Sequence, residues 1–338
     1  MKCDLSIVVP IYNVEAYLVQ TIESLLAQVD YDYEIVLVND GSKDSSGDIC
    51  QRYLEKYPEK IQLVNKENGG LPSARKAGVR AANGEYVTFL DGDDWVDADY
   101  YYQMIQAAKE HQADVACSSH TISYPDKDIP EKNGVDSGVY VGEALLEVKN
   151  KMLYQRPYYT YGIYPSLCMK VIRKELLEKF IYNVPDSVTI AEDAAVSFPL
   201  LFSCNGFVML NENTGYYYRQ LQTSMMNKYD PKKLTKVVMV MDYMETAFAP
   251  YSPKYGQQID RYYTQLIKEL VKNELLGDAP YDEKIGKIRA LTEKEYTMRA
   301  LKDLSGISLF YNLFFRFIRS RRFAVLNIGY TLYKKLKH

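Results

Sequence analysis

The segment from Leu5 to Asn39 reads LSIVVPIYNVEAYLVQTIESLLAQVDYDYEIVLVN, and it decides the fold class. Its first apolar, β-branched run predicts a buried strand that ends at Pro10. Apolar residues then recur at helical spacing from Val14 to Leu26, and a second apolar run from Glu34 to Asn39 predicts another buried strand. A strand, a helix and a strand in this order are typical of a parallel sheet.

The same alternation continues along the chain. Apolar runs at Ile61–Val64 and Glu85–Leu90 predict two more strands, and helical patterns cover Ser45–Tyr57 and Leu71–Ala82. The sequence therefore predicts an α/β fold with a doubly wound, mostly parallel sheet. In such sheets, ligands bind beyond the carboxyl ends of the strands.

After Asp99 the pattern is looser. We expect the following elements: a helix at Tyr100–His111, an edge strand at Asp114–Ser118, a loop at Tyr124–Gly138, a strand at Ser166–Ile172, a helix at Asp193–Phe202, a strand at Gly206–Asn211 and helices from Pro231 onward. A chain of 338 residues exceeds what one core usually supports. We expect a main domain over 1–225 and a helical C-terminal region over 226–338.

Composition excludes several classes of protein. Apolar residues make up 47% and charged residues 25% of the chain, which argues against disorder and against a polytopic membrane protein. The five cysteines form no CxxC pair and are odd in number, so a reducing compartment is expected. The start of the chain lacks the pattern of a secretory signal, and no apolar run reaches the roughly 20 residues of a membrane-spanning helix.

The net charge of −3 conceals a basic tail over 305–338. The tail contains no acidic residue and seven basic ones: Arg316, Arg319, Arg321, Arg322, Lys334, Lys335 and Lys337. The rest of the chain has 34 basic against 44 acidic residues, a net charge of −10. Aromatic and aliphatic residues around Phe314 interleave with the arginines, which favours an interfacial helix on an anionic membrane surface. The alternative is a helix packed on the rest of the protein.

Three polar segments follow predicted strands and should meet at one edge of the sheet: Pro10–Asn13, Asn39–Ser42 and Asp91–Asp94. The last places the carboxylates of Asp91, Asp93 and Asp94 within four residues. Carboxylates crowded in this way are typical of a Mg²⁺ or Mn²⁺ site beside a diphosphate. An exposed acidic turn explains the same residues equally well.

The segments around Asp40 and before Arg75 also each allow a structural and a ligand-binding interpretation. Asp40 either caps the helix that begins near Ser45 or accepts hydrogen bonds from a base or ribose, beside Tyr12 as a stacking face and the amide of Asn13. The glycines that precede Arg75 either permit close approach to a phosphate, which Arg75 would bind, or form a simple loop beside a solvated arginine.

A second acidic pair, Glu192 and Asp193, lies about a hundred residues downstream. The spacing from Thr189 to Glu192 fits a capping box at a helix start. A general base is the alternative. The single tryptophan, Trp95, lines an acceptor pocket or belongs to the core. The three histidines lack the spacing of a zinc site.

As a set, five motifs resemble family 2 glycosyltransferases with the GT-A fold: VVPIYN (Val8–Asn13), VNDGS (Val38–Ser42), ENGGLPSAR (Glu67–Arg75), FLDGDDW (Phe89–Trp95) and AED (Ala191–Asp193). The likeness covers about the first 220 residues, with the motifs in the family's order. The part from about Asp230 onward resembles the variable extension of such enzymes.

The resemblance implies a role for each motif. Residues 1–99 would form the nucleotide-sugar-binding half and 100–225 the acceptor half. Asp193 would be the catalytic base with Glu192 in support, Asp93 and Asp91 would bind the metal ion, and Trp95 and Asp94 would approach the acceptor. The implied nucleotide-sugar contacts are Pro10, Tyr12, Asn13, Asp40, Asn68, Gly70, Arg75, Asp91, Gly92 and Arg219.

The sequence departs from the family pattern at two places. Lys76 stands where many members have Asn, and Tyr216–Arg219 lacks a frequent His, so the assignment of Arg219 and Ser224 as diphosphate ligands is the weakest part of the set. The QxxRW signature of processive synthases is missing, which predicts that one sugar is added per encounter.

The expected function is that of a Mn²⁺- or Mg²⁺-dependent inverting glycosyltransferase in surface or exopolysaccharide synthesis. Its donor would be a UDP-sugar and its acceptor a glycan or lipid-linked saccharide. We expect it at the cytoplasmic face of the membrane, alone or in a homo- or hetero-oligomer, and the acidic body disfavours nucleic acid as a partner. A catalytically silent sugar-nucleotide- or glycan-binding subunit is the alternative, and the missing GxGxxG argues against a dinucleotide oxidoreductase.

Overall fold

The computed structural model describes residues 3–154, 161–220, 229–277, 279–305, 307–326 and 328. The chain forms two compact units. The first comprises Met1–Lys149 and Ile163–Ser224, and the second comprises Asn150–Gly162 and Met225–His338.

An eight-stranded sheet forms the core of the first unit. In chain order its strands are β1 (Leu5–Ile11), β2 (Tyr33–Asn39), β3 (Ile61–Asn65), β4 (Tyr86–Phe89), β6 (Val115–Ser118), β9 (Gly138–Val141), β10 (Lys170–Arg173) and β11 (Gly206–Leu210). Their order across the sheet is β3-β2-β1-β4-β10-β6-β11-β9. The first four strands are parallel, β11 is parallel to β6, and β10 and β9 are antiparallel to their neighbours. The predicted doubly wound, mostly parallel sheet is confirmed.

Strand β1 continues through Pro10, where the sequence predicted its end. In a parallel sheet, successive residues of a strand direct their backbone hydrogen-bonding groups to opposite neighbouring strands. The carbonyl of Val8 is on the β4 side, where it accepts a hydrogen bond from the N–H of Leu90. Pro10 faces the same side, beyond the last β1–β4 pair at Val8 and Phe89. No ladder partner requires its missing N–H there, so the proline does not end the strand.

The helices of the first unit are α1 (Glu15–Leu26), α2 (Ser46–Lys56), α3 (Leu71–Ala81), α4 (Tyr100–Glu110), α5 (Gly142–Lys149), α6 (Lys174–Ile181) and α7 (Glu192–Ser203). Helix α1 buries Leu18, Ile22 and Leu25, which lie on the apolar face that the sequence predicts. Gly78 of α3 permits close packing on the sheet, because an added Cβ would lie 2.2 Å from a methyl carbon of Val8.

Two local predictions were wrong. Strand β6 is interior rather than an edge strand, because β10 and β11, which arrive later in the chain, pair on its two sides. The predicted loop Tyr124–Gly138 contains a strand, β8 (Asp128–Glu131), which pairs with β7 (His120–Ser123). With β5 (Trp95–Val96) and β12 (Tyr216–Arg219) these strands form a second sheet in the order β5-β12-β7-β8.

The second unit is helical in its described part, in agreement with the expected helical C-terminal region. Its helices are α8 (Lys233–Phe248), α9 (Ser252–Leu276), α10 (Tyr281–Glu293), α11 (Glu295–Ala300) and α12 (Leu309–Arg319). Arg299 pairs with Glu245 at 2.7 Å and with Asp260 at 2.8 Å, which joins α11 to α8 and α9. Within the described ranges, no helix combines the length and the apolar character needed to cross a membrane.

Helix α12 lies in the predicted basic tail. It has apolar residues on two faces, of which one is buried and the other is exposed. Phe314, Phe315 and Ile318 are buried in protein, as the packing alternative requires. On the other face, Leu309 and Phe310 are 78% and 56% exposed. The tail lysines at 334, 335 and 337 lie outside the described residues.

Candidate active site

An open cleft of about 340 Å³ lies at the carboxyl ends of β1, β2 and β4. Its lining includes eight of the predicted site residues: Pro10, Tyr12, Asp40, Asn68, Gly70, Asp91, Gly92 and Asp93. The Tyr12 side chain is 49% exposed at this cleft. The three strand-end segments therefore meet, as the sheet topology requires.

The loops that follow β1 and β2 are joined by reciprocal hydrogen bonds. The backbone N–H of Asn13 donates to Oγ of Ser42 at 3.2 Å, and the N–H of Lys43 donates to Oδ1 of Asn13 at 2.7 Å. Asp44 accepts from the N–H groups of Glu15 and Ser46, at the starts of α1 and α2. Asn13 is thus placed beside the cleft by the loop itself, and its predicted donor contact stays a prediction.

The carboxylate of Asp40 is buried and organises the loop before α3. Its Oδ1 accepts from the N–H of Gly69 at 3.0 Å and from the ammonium of Lys66 at 2.5 Å, while its Oδ2 accepts from the N–H of Gly70 at 2.8 Å. The capping alternative for Asp40 was wrong, because Asp44 meets the first amide of α2 instead. One lone pair of Oδ2 is left for a ligand in the cleft.

The segment Asp91–Asp94, hereafter the acidic loop, is a turn closed by the N–H of Asp94 donating to the carbonyl of Asp91 at 3.0 Å. Thr21 Oγ1 of α1 lies 3.0 Å from the carbonyl of Gly92 and 2.7 Å from that of Asp94. A Cβ on Gly92 would come within 3.2 Å of the carbonyl oxygen of Pro10. Glycine therefore lets the loop pack closely on the end of β1.

The three aspartates of the acidic loop have different surroundings. Burial and the neighbouring charge of Asp91 raise the pKa of Asp93. Asp94 is 1% exposed, and its carboxylate accepts from the hydroxyl of Tyr216 at 2.5 Å and from the N–H of Arg219 at 2.9 Å. Both oxygens of Asp94 are therefore occupied by protein donors. The predicted acceptor contacts of Asp94 and of half-buried Trp95 stay predictions.

Arg75 of α3 joins the two acidic sites. The residue is only 2% exposed, and its guanidinium pairs with Asp193, with Asp91 at 3.3 Å and with Glu192 at 3.8 Å. Burial acts to lower its pKa, but Asp193 and Asp91 raise it well above the ordinary value. The solvated-arginine alternative was wrong, and in this structure carboxylates occupy the place that a phosphate was expected to take.

Glu192 and Asp193 are at the start of α7, where Ala191 has a left-handed backbone with φ of 55°. The N-cap is Ala191 rather than Thr189, and among the described residues it forms no side-chain cap hydrogen bond, so the capping-box alternative was wrong. Burial and the charge of Asp193 raise the pKa of Glu192 to about 7. Burial also raises the pKa of Asp193, an effect that Arg75 opposes.

Lys76, which departs from the family pattern, has partners of its own. Its ammonium donates to the carbonyl of Val184 and to Asp186 Oδ1, the latter at 2.6 Å. These groups hold the chain that leads into α7, so the substitution is compatible with an intact fold.

Several residues near Arg75 and Asp193 were not indicated by any sequence pattern. Cys168 Sγ lies 3.9 Å from Arg75, and the buried ammonium of Lys170 donates to the carbonyls of Tyr164 and Ser166 at 2.6 Å each. Neither residue stands in a recognisable motif. Tyr17 and Thr21 were detectable in principle, since they lie one turn apart on α1, but that spacing is also typical of a core face.

A divalent cation fits the chemistry of the acidic loop. Among the described residues, no group of three or more His, Cys, Asp or Glu side chains is arranged to hold a metal ion by itself. Asp91 and Asp93 nevertheless both line the cleft. Two carboxylates that leave further positions to phosphate and water are the usual protein contribution to a Mg²⁺ site.

Comparison with known proteins identifies the family. The family model described as "Glycosyl transferase family 2" matches residues 6–181, more than half of the chain. The uncharacterized glycosyltransferase EpsJ of Bacillus subtilis is 29% identical over 264 residues, which cover 78% of this chain and 68% of EpsJ. The minor teichoic acid biosynthesis protein GgaB of the same organism is 30% identical over 67% of this chain, which spans only 25% of GgaB.

The fold has a counterpart among solved structures. Residues 1–349 of S. aureus TarS, crystallised in complex with UDP, superimpose with a TM-score of 0.73 at 19% identity, covering 98% of this chain and 91% of that TarS fragment. The predicted GT-A fold is thereby confirmed. With the family model, the cleft and the motif order in agreement, the chain is a glycosyltransferase that belongs to glycosyl transferase family 2.

Proposed function

We propose that this protein transfers one sugar, with inversion, from a UDP-sugar to a hydroxyl of a glycan or lipid-linked saccharide, in a reaction that depends on Mn²⁺ or Mg²⁺. The observation that carries the proposal is that Arg75 pairs both with Asp91, which lines the cleft, and with Asp193. TarS has been crystallised with both UDP and UDP-GlcNAc, which supports a uridine nucleotide as the donor.

On the donor side, the cleft offers the features that a nucleotide requires. Tyr12 provides an exposed ring for the base. The remaining lone pair of Asp40 matches the ring N–H of uracil, whereas cytosine presents an acceptor at that atom. Asn68 and Gly70 line the same cleft, where the glycine lets a ribose or phosphate approach the backbone.

At the diphosphate end, Asp91 and Asp93 would hold the cation. When bound, it supplies positive charge for the diphosphate oxygens. We place Arg219 nearby as a candidate diphosphate contact. Ser224, named with it, lies outside the described residues.

Asp193 is proposed as the general base. Arg75 engages its Oδ1, and among the described residues Oδ2 has no hydrogen bond. Oδ2 would accept the proton of the acceptor hydroxyl as that oxygen forms a bond to the anomeric carbon and the bond from this carbon to the diphosphate oxygen breaks. The raised pKa of Asp193 brings its basicity closer to that of an effective base at neutral pH.

The experiment that tests the proposal is donor hydrolysis by the purified protein, measured with a panel of sugar nucleotides and Mn²⁺. Hydrolysis of a UDP-sugar is expected, and it should disappear in Asp93→Ala and Asp193→Ala. The matched control is Glu212→Ala, an exposed carboxylate that pairs with Lys132. Turnover at the wild-type level in both site variants would refute the assignment and favour the silent-subunit alternative.

We further propose that the tail contacts the cytoplasmic face of a membrane, which would bring the enzyme to a lipid-linked acceptor. Leu313 is 45% exposed on the same helix as Leu309 and Phe310. In the described part of the chain, Arg316, Arg321 and Arg322 are exposed and form no ion pair. Near an anionic surface each contributes about 1 kcal/mol.

Liposome co-sedimentation tests the membrane contact. Binding to anionic vesicles should fall when Leu309, Phe310 and Leu313 are changed to serine. Serine at Val139 and Val141, which are 41% and 53% exposed on β9, should leave it unchanged and serves as the control. If the triple variant of α12 binds the vesicles as well as the wild type and the double variant of β9 do, the membrane contact is refuted.

A further inference from the structure

The guanidinium of Arg219 is fixed against the backbone of the acidic loop. Its Nε donates to the carbonyl oxygen of Asp93 at 2.7 Å, and its Nη2 donates to Oε1 of Gln20 on α1, also at 2.7 Å. One side chain thus ties the end of β12 to the residue that is proposed to bind the cation, and ties both to α1.

The same guanidinium lies over two aromatic rings. Its central carbon lies 4.3 Å from the ring centre of Trp95 and 4.8 Å from that of Tyr17. Trp95 in turn stacks on Tyr217, with ring centres 5.1 Å apart and planes 3° from parallel. We call these four residues, Tyr17, Trp95, Tyr217 and Arg219, the clamp. Stacked and hydrogen-bonded in this way, the arginine has little freedom to change its orientation.

The backbone of β12 adds a second attachment to the acidic loop. Tyr217 pairs with Trp95 in the antiparallel β5–β12 ladder. The N–H of Arg219 and the hydroxyl of Tyr216 both donate to the carboxylate of Asp94. Asp94 therefore faces β12, while Asp91 and Asp93 face the cleft.

We propose that Arg219 is a positioning residue for the cation site, acting through the backbone of Asp93 and held in place by Tyr17 and Trp95. The inference rests on the proposed function, because it assumes that Asp91 and Asp93 bind the cation. It assigns Arg219 a role that requires no contact with the donor. Partners that orient metal ligands are commonly responsible for about 10- to 100-fold in metal affinity.

The two possible roles of Arg219 predict different responses to substitution. A residue that serves only as positive charge for a diphosphate is replaced well by lysine. A positioning residue is not, because lysine lacks the planar group that packs over the two rings while Nε donates to Asp93. Tyr17→Leu separates the roles further, since it removes one wall of the clamp and leaves the charge of Arg219 in place.

The experiment is a Mn²⁺ titration of the whole protein with UDP present, followed by the electron paramagnetic resonance signal of free Mn²⁺. Arg219→Lys and Arg219→Gln should both weaken Mn²⁺ binding about tenfold or more, and Tyr17→Leu should weaken it several-fold. Arg80→Gln is the matched control, because this exposed arginine stacks on Tyr182 at 4.9 Å outside the cleft. In the ligand-free variants of the clamp, amide hydrogen exchange at Asp94 should also be faster.

Wild-type Mn²⁺ affinity in Arg219→Lys or in Tyr17→Leu would overturn the inference and leave the proposed function intact. Failure of the wild-type protein to bind Mn²⁺ and UDP together would refute the proposed donor site, and the inference with it. Should an Arg219 variant fail to fold, as judged by thermal unfolding, the Tyr17→Leu titration alone decides between the two roles.

Discussion

The acidic loop and the Glu192–Asp193 pair are both clusters of carboxylates, but their charges are compensated differently. In the described part of the chain, Asp93 forms no ion pair, and burial raises its pKa. Asp193 instead shares the buried guanidinium of Arg75 with Glu192 and Asp91. The comparison teaches that Asp93, which has no ion-pair partner in the described part of the chain, is free to bind a cation, whereas Asp193, held by Arg75 through Oδ1 only, is placed to accept a proton at Oδ2.

The largest effect should come from Asp193→Asn. An amide cannot take the acceptor's proton, so turnover with acceptor should fall by about a hundred- to ten-thousand-fold. The KM for the donor should change little, because the cleft residues are untouched. The control is Asp186→Asn, which removes an exposed partner of Lys76. Comparable losses in both variants, measured by steady-state kinetics, would contradict the distinction between the clusters.

Removal of the shared counter-ion should have the next largest effect. Arg75→Met leaves the carboxylate of Asp193 buried beside Asp91 and Glu192 without compensation, which should destabilise the fold by about 3–5 kcal/mol. Arg75→Lys keeps the charge and should lose less. Urea unfolding monitored by the single tryptophan measures both. A Met variant as stable as the wild type would show that Arg75 does not hold the cluster together.

Glu192→Gln should have the smallest effect, and one that depends on pH. Since the pKa of Glu192 is raised to about 7 in the folded state, the folded protein holds a proton there that the unfolded chain loses earlier. Stability from this group is therefore lost as the pH rises from about 4.5 to 7. The Gln variant should match the wild type near pH 4 and exceed it near pH 8 by at most about 3 kcal/mol.

The melting temperatures of the two proteins at these two pH values check this prediction. An equal difference at both pH values would show that Glu192 is ionised throughout the range. A Gln variant that is less stable at pH 8 would show that the carboxylate is stabilising there.

The first ninety residues illustrate what the sequence predicts well. Strands β1, β2 and β4 are buried on both faces, so they appear as nearly continuous apolar runs. Polar residues at their ends must therefore meet at one sheet edge. Eight of the predicted site residues accordingly line one cleft. The helix that begins at Glu192 was also predicted to within one residue.

Contacts distant in sequence were not predictable. The pairing of Arg75 with Asp193 joins residues 118 positions apart, and that of Asp93 with Arg219 joins residues 126 apart. Neither follows from local periodicity. The interior place of β6 depends on the later strands β10 and β11. Asp40 and Glu192 each fitted a helix-cap signature. In the structure their carboxylates instead contact groups distant in sequence: the loop before α3 for Asp40 and Arg75 for Glu192.

The most direct test of the account is the Mn²⁺-dependent affinity for UDP, measured by calorimetry in Asp93→Asn and Asp193→Asn side by side. The account predicts that Asp193→Asn binds UDP as tightly as the wild type. It predicts that Asp93→Asn loses most of the Mn²⁺-dependent part of the binding. Wild-type affinity in Asp93→Asn, or an equal loss in both variants, would contradict the division of cation and proton between the two carboxylate clusters.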